Sequence, residues 1–161
     1  MHPNTAKIEK LFTSVDRHDL EAIADCYAED ATFQDIAFRL RGKAAIRKMW
    51  RMIVSGDIRV TLQACDANDS EGRAEVLDIY TFRETQRPVR NPIVSHFRFE
   101  NGKITQQRDE CDPKAWAKMA IGGILGFLSG RLRFLRALGA AKTLHDFNRK
   151  HPERSAAPGR Q

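Results

Sequence analysis

At 161 residues, with 42% hydrophobic and 30% charged residues, the chain has the size and composition of one globular domain with a real core. Its net charge of +6 sits in the C-terminal third: residues 112–161 carry 10 Lys+Arg against 3 Asp+Glu, whereas residues 1–111 carry 17 against 18. A main body so close to neutral excludes a nucleic-acid groove running across it.

The start of the chain, Met1 to Lys10, is polar and lacks the apolar core of a signal peptide. Cys26, Cys65 and Cys111 are widely spaced, odd in number and form no Cys-x-x-Cys, so neither a disulfide framework nor a zinc site is expected. Reduced thiols in a cytoplasmic protein are the simplest reading. Asn68-Asp69-Ser70 matches a glycosylation sequon and reads as a polar turn.

In chain order, Ile8, Leu11, Phe12 and Val15 recur at helical spacing, so Thr5 to Asp16 is read as an amphipathic helix. A second helix is expected from Leu20 to about Ala28, with Asp19 and Glu21 favourable at its start. The stretch Tyr27-Ala28-Glu29-Asp30-Ala31-Thr32-Phe33-Gln34-Asp35 then turns β-prone, with a strand ending near Ile36. In a strand Phe33 and Asp35 share one face. If Phe33 faces a core, so does the Asp35 carboxylate, which is costly unless paired or protonated. The plainer alternative is a strand-end aspartate that turns to solvent or caps the next turn.

Arg41-Gly42 reads as a turn, and Lys43 to Val54 returns to helical period through Ile46, Met49, Trp50 and Ile53. From Ile58 to Glu110 the pattern is of strands. Val60, Leu62 and Ala64 alternate before the turn at Asn68 to Gly72, and Ala74 to Phe82 forms the next strand. Arg83 to Arg90 is read as a polar connection, Ile93 to Phe99 as a strand, Glu100-Asn101-Gly102-Lys103 as a hairpin and Ile104 to Glu110 as the last strand. Helices first and antiparallel strands after predict an α+β domain, its N-terminal helices packed on one curved antiparallel sheet.

Several of these stretches resemble the SnoaL-like branch of the nuclear transport factor 2-like superfamily, over roughly Ala6 to Trp116. The marks are Asp19-Leu20-Glu21-Ala22-Ile23, then Tyr27 to Asp35, Gly42-Lys43-Ala44-Ala45-Ile46, His96-Phe97-Arg98-Phe99-Glu100-Asn101-Gly102-Lys103-Ile104 and Arg108-Asp109. The resemblance implies a cone of sheet and helices around a deep hydrophobic pocket, and a homodimer through the sheet. It does not select a reaction, because this fold carries enzymes, binding proteins and assembly modules.

Ketosteroid-isomerase-like relatives place their general base at the end of the first strand, and Asp35 matches it; the positions of the tyrosine and acid oxyanion donors hold Leu11 and Ser95. Limonene-epoxide-hydrolase-like relatives use an Asp-Arg-Asp set. Asp78 and Asp109 match its carboxylates, Val76 stands at the arginine, and Phe33 and Asp35 stand at the water-holding tyrosine and asparagine. Polyketide cyclases of the SnoaL type need mainly one acid/base aspartate, which the Asp109 region supplies.

Alternation places Val76, Asp78 and Tyr80 on one face of the sheet, with Asn91, Ile93, Ser95 and Phe97, and Gln107, Asp109 and Cys111, facing the same interior. Asp35, Asp78 and Asp109 are therefore the candidate catalytic residues, in a pocket walled further by Phe12, Phe33, Trp50 and Trp116. Neighbouring buried carboxylates do not all ionise, and a protonated acid beside a carboxylate base is what acid–base catalysis requires. The alternative is a structural role, with Asp78 bonded to Tyr80 or backbone and Asp109 paired with an arginine. The expected function is cofactor-independent isomerase, cyclase, dehydratase or hydrolase chemistry on a small hydrophobic ring compound. The rivals are a pocket that only binds an apolar metabolite and a dimeric interaction module. The histidines show no metal-ligand spacing, and no metal is expected.

Residues 1–116 are read as the domain, 117–149 as a helical extension and 150–161 as a disordered tail. The apolar run Met119 to Leu128, with its Gly-x-x-x-Gly at Gly122 and Gly126, is far shorter than the ~20 residues of a membrane span. Leu125, Leu128, Leu132 and Leu135 form a helical stripe beside Arg131, Arg133 and Arg136. It is expected to pack on its own domain or a dimer mate rather than on an anionic membrane.

Overall fold

The computed structural model describes residues 1–122 and 133–152. Helices α1 (Pro3–Asp16) and α2 (Leu20–Asp25) are followed by β1 (Tyr27–Gln34), β2 (Arg39–Arg41) and α3 (Lys43–Val54). Four long strands come next: β3 (Arg59–Ala67), β4 (Glu71–Phe82), β5 (Arg87–Glu100) and β6 (Lys103–Glu110). Helices α4 (Pro113–Ala120) and α5 (Arg133–Lys150) complete the described elements. The six strands make one sheet in the order β2-β1-β6-β5-β4-β3. This is the expected α+β architecture with one correction: β1 runs parallel to β6, so the sheet is mixed rather than wholly antiparallel.

α1 starts at Pro3, where a missing N–H costs nothing, and His2 accepts the Asn4 N–H. The Asn4 amide donates to the carbonyls of Asn68 (2.8 Å) and Asp69 (3.1 Å), tying the helix start to the β3–β4 turn. Ile8, Leu11, Phe12 and Val15 face the sheet and are buried. The inward face of Gly72 lies so close to α1 that a Cβ there would come within 2.8 Å of Ile8 Cδ1.

α2, capped by Asp19 on the Ala22 N–H, ends at Asp25 rather than near Ala28. The Cys26 carbonyl accepts the Ile104 N–H at 2.9 Å, and this pairing with β6 draws Tyr27 out of the helix into β1. Pairing also extends the strands beyond their sequence-read bounds. The stretch Arg83 to Arg90, read as a connection, shrinks to the turn between Phe82 and Arg87, and Val89 is buried on β5. Pro88 and Pro92 are tolerated because β6 pairs with β5 only from Val94 onward. The β5–β6 hairpin turns through Asn101 (φ 51°) and Gly102 (φ 70°), the left-handed pair that a two-residue hairpin needs.

The inward residues of β5 divide the interior in two. Phe97 and Phe99 meet α1, with Phe12 edge-on to Phe97 at 6.2 Å, and close one end as solid core. Asn91 and Ile93, at the other end, border a cavity. α4 spans the domain boundary expected at Trp116: Asp112 caps it through the N–H groups of Lys114 and Ala115, and Ala117 and Ala120 are buried. On α5, Phe147 is buried with the guanidinium groups of Arg51 and Arg83 over its ring at 5.6 and 5.5 Å. Of the leucine–arginine stripe, Leu125, Leu128, Arg131 and Leu132 lie outside the described residues, as do Gly126 and residues 153–161 of the expected tail. Arg133 and Leu135 fall within the backbone of α5, as does Arg136. None of the described helices is long and apolar enough to cross a membrane.

Candidate functional site

A cavity of about 430 Å³ lies between the sheet and helices α3, α4 and α5, and Asp35, Asp78 and Asp109 all line it. Its apolar wall includes Phe33, Trp50, Ile53, Phe82, Ile93 and Trp116, and its size is that of a small-molecule site. Of the residues read as pocket wall, Phe33, Trp50, Tyr80, Asn91, Ile93 and Trp116 border it. Phe12, Val76, Ser95 and Phe97 do not: all four are buried, Phe12 of α1 edge-on to Phe97, and Ser95 across the ladder from Asp109. The sequence reading omitted the mouth, formed by Met52, Asp57, Arg83 and Glu84 with Ile121 and Thr143. Alternation within one strand carries no information on which loops and later helices come to its end.

Asp35 follows β1 directly, and its Oδ1 accepts the N–H groups of Ala37 (2.7 Å) and Phe38 (2.5 Å). It therefore does both things considered for it: the carboxylate caps the turn into β2 and also lines the cavity. Burial raises its pKa above the ordinary value, against the two backbone N–H groups that favour the charge.

Asp78 lies on β4 opposite Asn91 on β5, and Asp109 lies on β6 opposite Ser95, so the two carboxyls flank β5 on its inner face. Burial pushes Asp78 up to about 7, with the charge of Asp109 adding to the effect. Its carboxyl has no hydrogen-bond partner among the described residues, neither Tyr80 nor backbone. Asp109 is also pushed up to about 7, by burial and by the charge of Asp35. Two donors oppose that rise. The Gln107 amide N–H₂ reaches both carboxylate oxygens, at 3.0 and 3.1 Å, and Ser95, fully buried across the ladder, favours the charge by proximity although its hydroxyl makes no well-aligned bond. No arginine pairs with Asp109 among the described residues.

Behind Gln107 stands a fully buried chain. Trp50 Nε1 donates to Tyr27 Oη (3.0 Å), and Tyr27 donates to Gln107 Oε1 (2.5 Å). Tyr27 falls inside the helix expected from Leu20 to about Ala28, and its pairing with Ile104 on β6 is what places it on β1. A second such pair borders the cavity: Trp116 Nε1 donates to Tyr80 Oη at 2.7 Å. Tyr80 is pushed up by burial and by the charge of Asp78, so it stays a neutral phenol.

The three carboxylates do not form a metal cage: among the described residues no cluster of three His, Cys, Asp or Glu has metal-ligand geometry. All three cysteines are free thiols, with Cys26 buried and Cys111 on the cavity wall. What the arrangement offers is proton chemistry in a largely apolar cavity.

Comparison with known proteins agrees with the fold. Residues 8–107 match the family model of the SnoaL-like domain. The sequence matches no curated protein. Among solved structures, the fold is similar to an epoxide hydrolase of M. tuberculosis of the limonene-epoxide-hydrolase-like kind (18% identity, 83% of this chain and 95% of that one, TM-score 0.63). It is also similar to a protein of ketosteroid isomerase-like fold from Catenulispora acidiphila, solved with trimethylamine (14%, 71% and 91%, TM-score 0.63). A third is the epoxide hydrolase/cyclase-like enzyme SalBIII of salinomycin pyran-ring formation (19%, 67% and 89%, TM-score 0.60). At these identities the structures speak for the fold alone, but the family match spans well over half of the chain: the protein belongs to the SnoaL-like family and has the nuclear transport factor 2-like fold.

Proposed function

We propose that the protein is a small-molecule enzyme performing cofactor-independent acid–base chemistry on a neutral, hydrophobic ring compound. The observation that carries this reading is the unequal treatment of two carboxyls that flank β5 on one cavity. Asp109 receives the Gln107 amide on both oxygens, whereas Asp78 receives no donor among the described residues. Near neutral pH the pair holds one proton, and the hydrogen bonds assign it to Asp78. Asp109 then acts as base, taking a proton from a substrate carbon or an attacking water. Asp78 acts as acid and gives its proton to the substrate atom that becomes basic. The pair ends with its proton moved from one carboxyl to the other, so the sum over the step is zero. Asp35, with Oδ1 committed to its turn, has a second oxygen with which to hold water or a substrate hydroxyl. Isomerisation, cyclisation, dehydration and hydration all draw on this pair.

The test is turnover of a panel of cyclic epoxides, enones and polyketide-like rings. Asp109→Asn and Asp78→Asn are each expected to lower turnover by roughly 10²–10⁴-fold. Unchanged turnover in both variants would end the mechanism. Compounds that bind saturably yet are never consumed would make the cavity a binding site instead.

A further inference from the structure

The two tryptophan–tyrosine pairs beside the cavity are built alike and end differently. An indole N–H can only donate, so in each pair the tyrosine oxygen is the acceptor and the phenolic proton must go elsewhere. In the Trp50–Tyr27 pair that proton goes to Gln107 Oε1. In the Trp116–Tyr80 pair the Tyr80 oxygen accepts the indole N–H at 2.7 Å, and the phenolic proton has no acceptor among the described residues. Tyr80 borders the cavity, on the same inner strand face as Asp78, two residues further along β4. A donor so oriented, in a largely apolar wall, lacks only the partner that the protein withholds.

We infer that the Tyr80 O–H is the hydrogen-bond donor for a neutral carbonyl or epoxide oxygen on an apolar ring, held in place by Trp116 and aimed into the cavity. The proposal deepens the acid–base reading of the same site and rests on it for the position of the reacting carbons. The acceptor is neutral because Asp35, Asp78 and Asp109 share the cavity, and three carboxyls on the walls work against an anionic ligand. The ring is apolar because Phe33, Trp50, Phe82, Ile93 and Trp116 line the same cavity as Tyr80.

The experiment compares 1-tetralone with tetralin, two bicyclic probes that differ by one carbonyl. Trp50 and Trp116, the two tryptophans of the chain, both line the cavity and report binding by fluorescence. Wild type is expected to bind the ketone roughly 3- to 10-fold more tightly than the hydrocarbon, as one hydrogen bond allows. The carbonyl stretch of bound 1-tetralone shifts to lower frequency. In Tyr80→Phe the preference falls by roughly threefold or more and the shift shrinks, while tetralin affinity stays as in wild type and serves as the control for folding. Asp109→Asn keeps the preference, which separates this proposal from the fate of the acid–base pair. A preference retained in Tyr80→Phe overturns the proposal, as does equal affinity of wild type for both probes. Absence of binding by either probe overturns it together with the apolar-ring reading. Should Tyr80→Phe fail to fold, the infrared shift decides: a shift in wild type that shrinks in Trp116→Phe supports the bond, and no shift in wild type refutes it.

Discussion

Gln107 donates its amide to both oxygens of Asp109, and the direction of that bond is dictated from two residues further back. Trp50 can only donate to Tyr27, so Tyr27 must donate to Gln107 Oε1, which leaves Gln107 its N–H₂ for Asp109. A purely local reading of the amide would leave its two orientations open. The buried chain closes that choice, and it is the basis on which the proposed mechanism gives the charge to Asp109 rather than Asp78.

Tyr27→Phe removes the donor that fixes Gln107 and leaves Gln107 Oε1 and Trp50 Nε1 buried without a partner. A loss of about 1–3 kcal/mol in stability is expected, read from urea unfolding. The Asp109 pKa, about 7 in the intact site, is expected to rise, because the amide that favoured its ionised form is free to turn. Carbon-detected NMR titration of the carboxyls measures it. An Asp109 titration that stays where it was, despite the stability loss, would confine the relay to packing.

The raised carboxyls set a pH profile for stability with a definite sign. Asp78 and Asp109 bind protons more tightly folded (about 7) than at the ordinary 3.8, and Asp35 is raised as well. Between about pH 4 and 7 the folded state therefore holds more protons than the unfolded one. Their contribution is fully present below the unfolded value and is lost as pH rises through the folded one. Asp25, held low by hydrogen bonds from Lys10 and Lys103, acts oppositely, as does Asp16 beside Arg59: their contribution is lost only as pH falls below about 4. Stability is expected to peak near pH 4–5 and to decline by a few kcal/mol toward pH 8. Asp78→Asn flattens the decline and raises the unfolding midpoint at pH 8. A flat wild-type profile from pH 5 to 8 would show that these carboxyls titrate normally.

How much of this was legible in the sequence depends on the range over which each residue is fixed. The helical faces of α1 and α3, the Asn101-Gly102 hairpin and the inward phase of Asp78 and Asp109 follow from local spacing, and they appear as read. The end of α2 does not, because its last residues are claimed by pairing with β6 nearly eighty positions away. The roles of Phe12, Val76, Ser95 and Phe97 were misplaced for a related reason. Alternation shows that a residue points inward, but whether inward means core or cavity depends on where α1 stops along the sheet. The relay behind Asp109 crosses three elements, α3, β1 and β6, and no spacing in the chain announces it.

Gly72 marks the place where α1 and the sheet approach most closely. A Cβ there would meet Ile8 Cδ1 at 2.8 Å, and Ala67 Cβ and Phe99 Cε2 at 3.0 Å. Gly72→Ala must push the helix or the Phe99 ring away, so a loss of about 1–3 kcal/mol is expected. Thermal unfolding measures it, and because Gly72 sits six residues from Asp78 along β4, the Asp78 titration should not move. An unchanged melting temperature would mean that α1 is looser on the sheet than its burial implies.

The attachment of α5 turns on one ring. Phe147 is buried beneath Arg51 from α3 and Arg83 from the β4–β5 turn, and His151 stacks on it at 4.5 Å. Arg51 also reaches the side chain of Asn148 (3.0 Å) and the carbonyl of His151 (2.5 Å). One turn earlier, Thr143 borders the cavity and bonds to Glu84 at 3.3 Å, so the helix covers part of the mouth. Phe147→Ala removes the buried surface and both cation–ring contacts, each worth roughly 0.5–2 kcal/mol. The carboxyl pair and its hydrogen bonds are left in place. The expected result is a helix that detaches before the domain unfolds, cut early by trypsin at Arg149 and Lys150, with little change in the main melting transition. Faster exchange of the probes described above in and out of the cavity should accompany it. If cleavage stays as slow as in wild type, α5 is held by contacts other than Phe147.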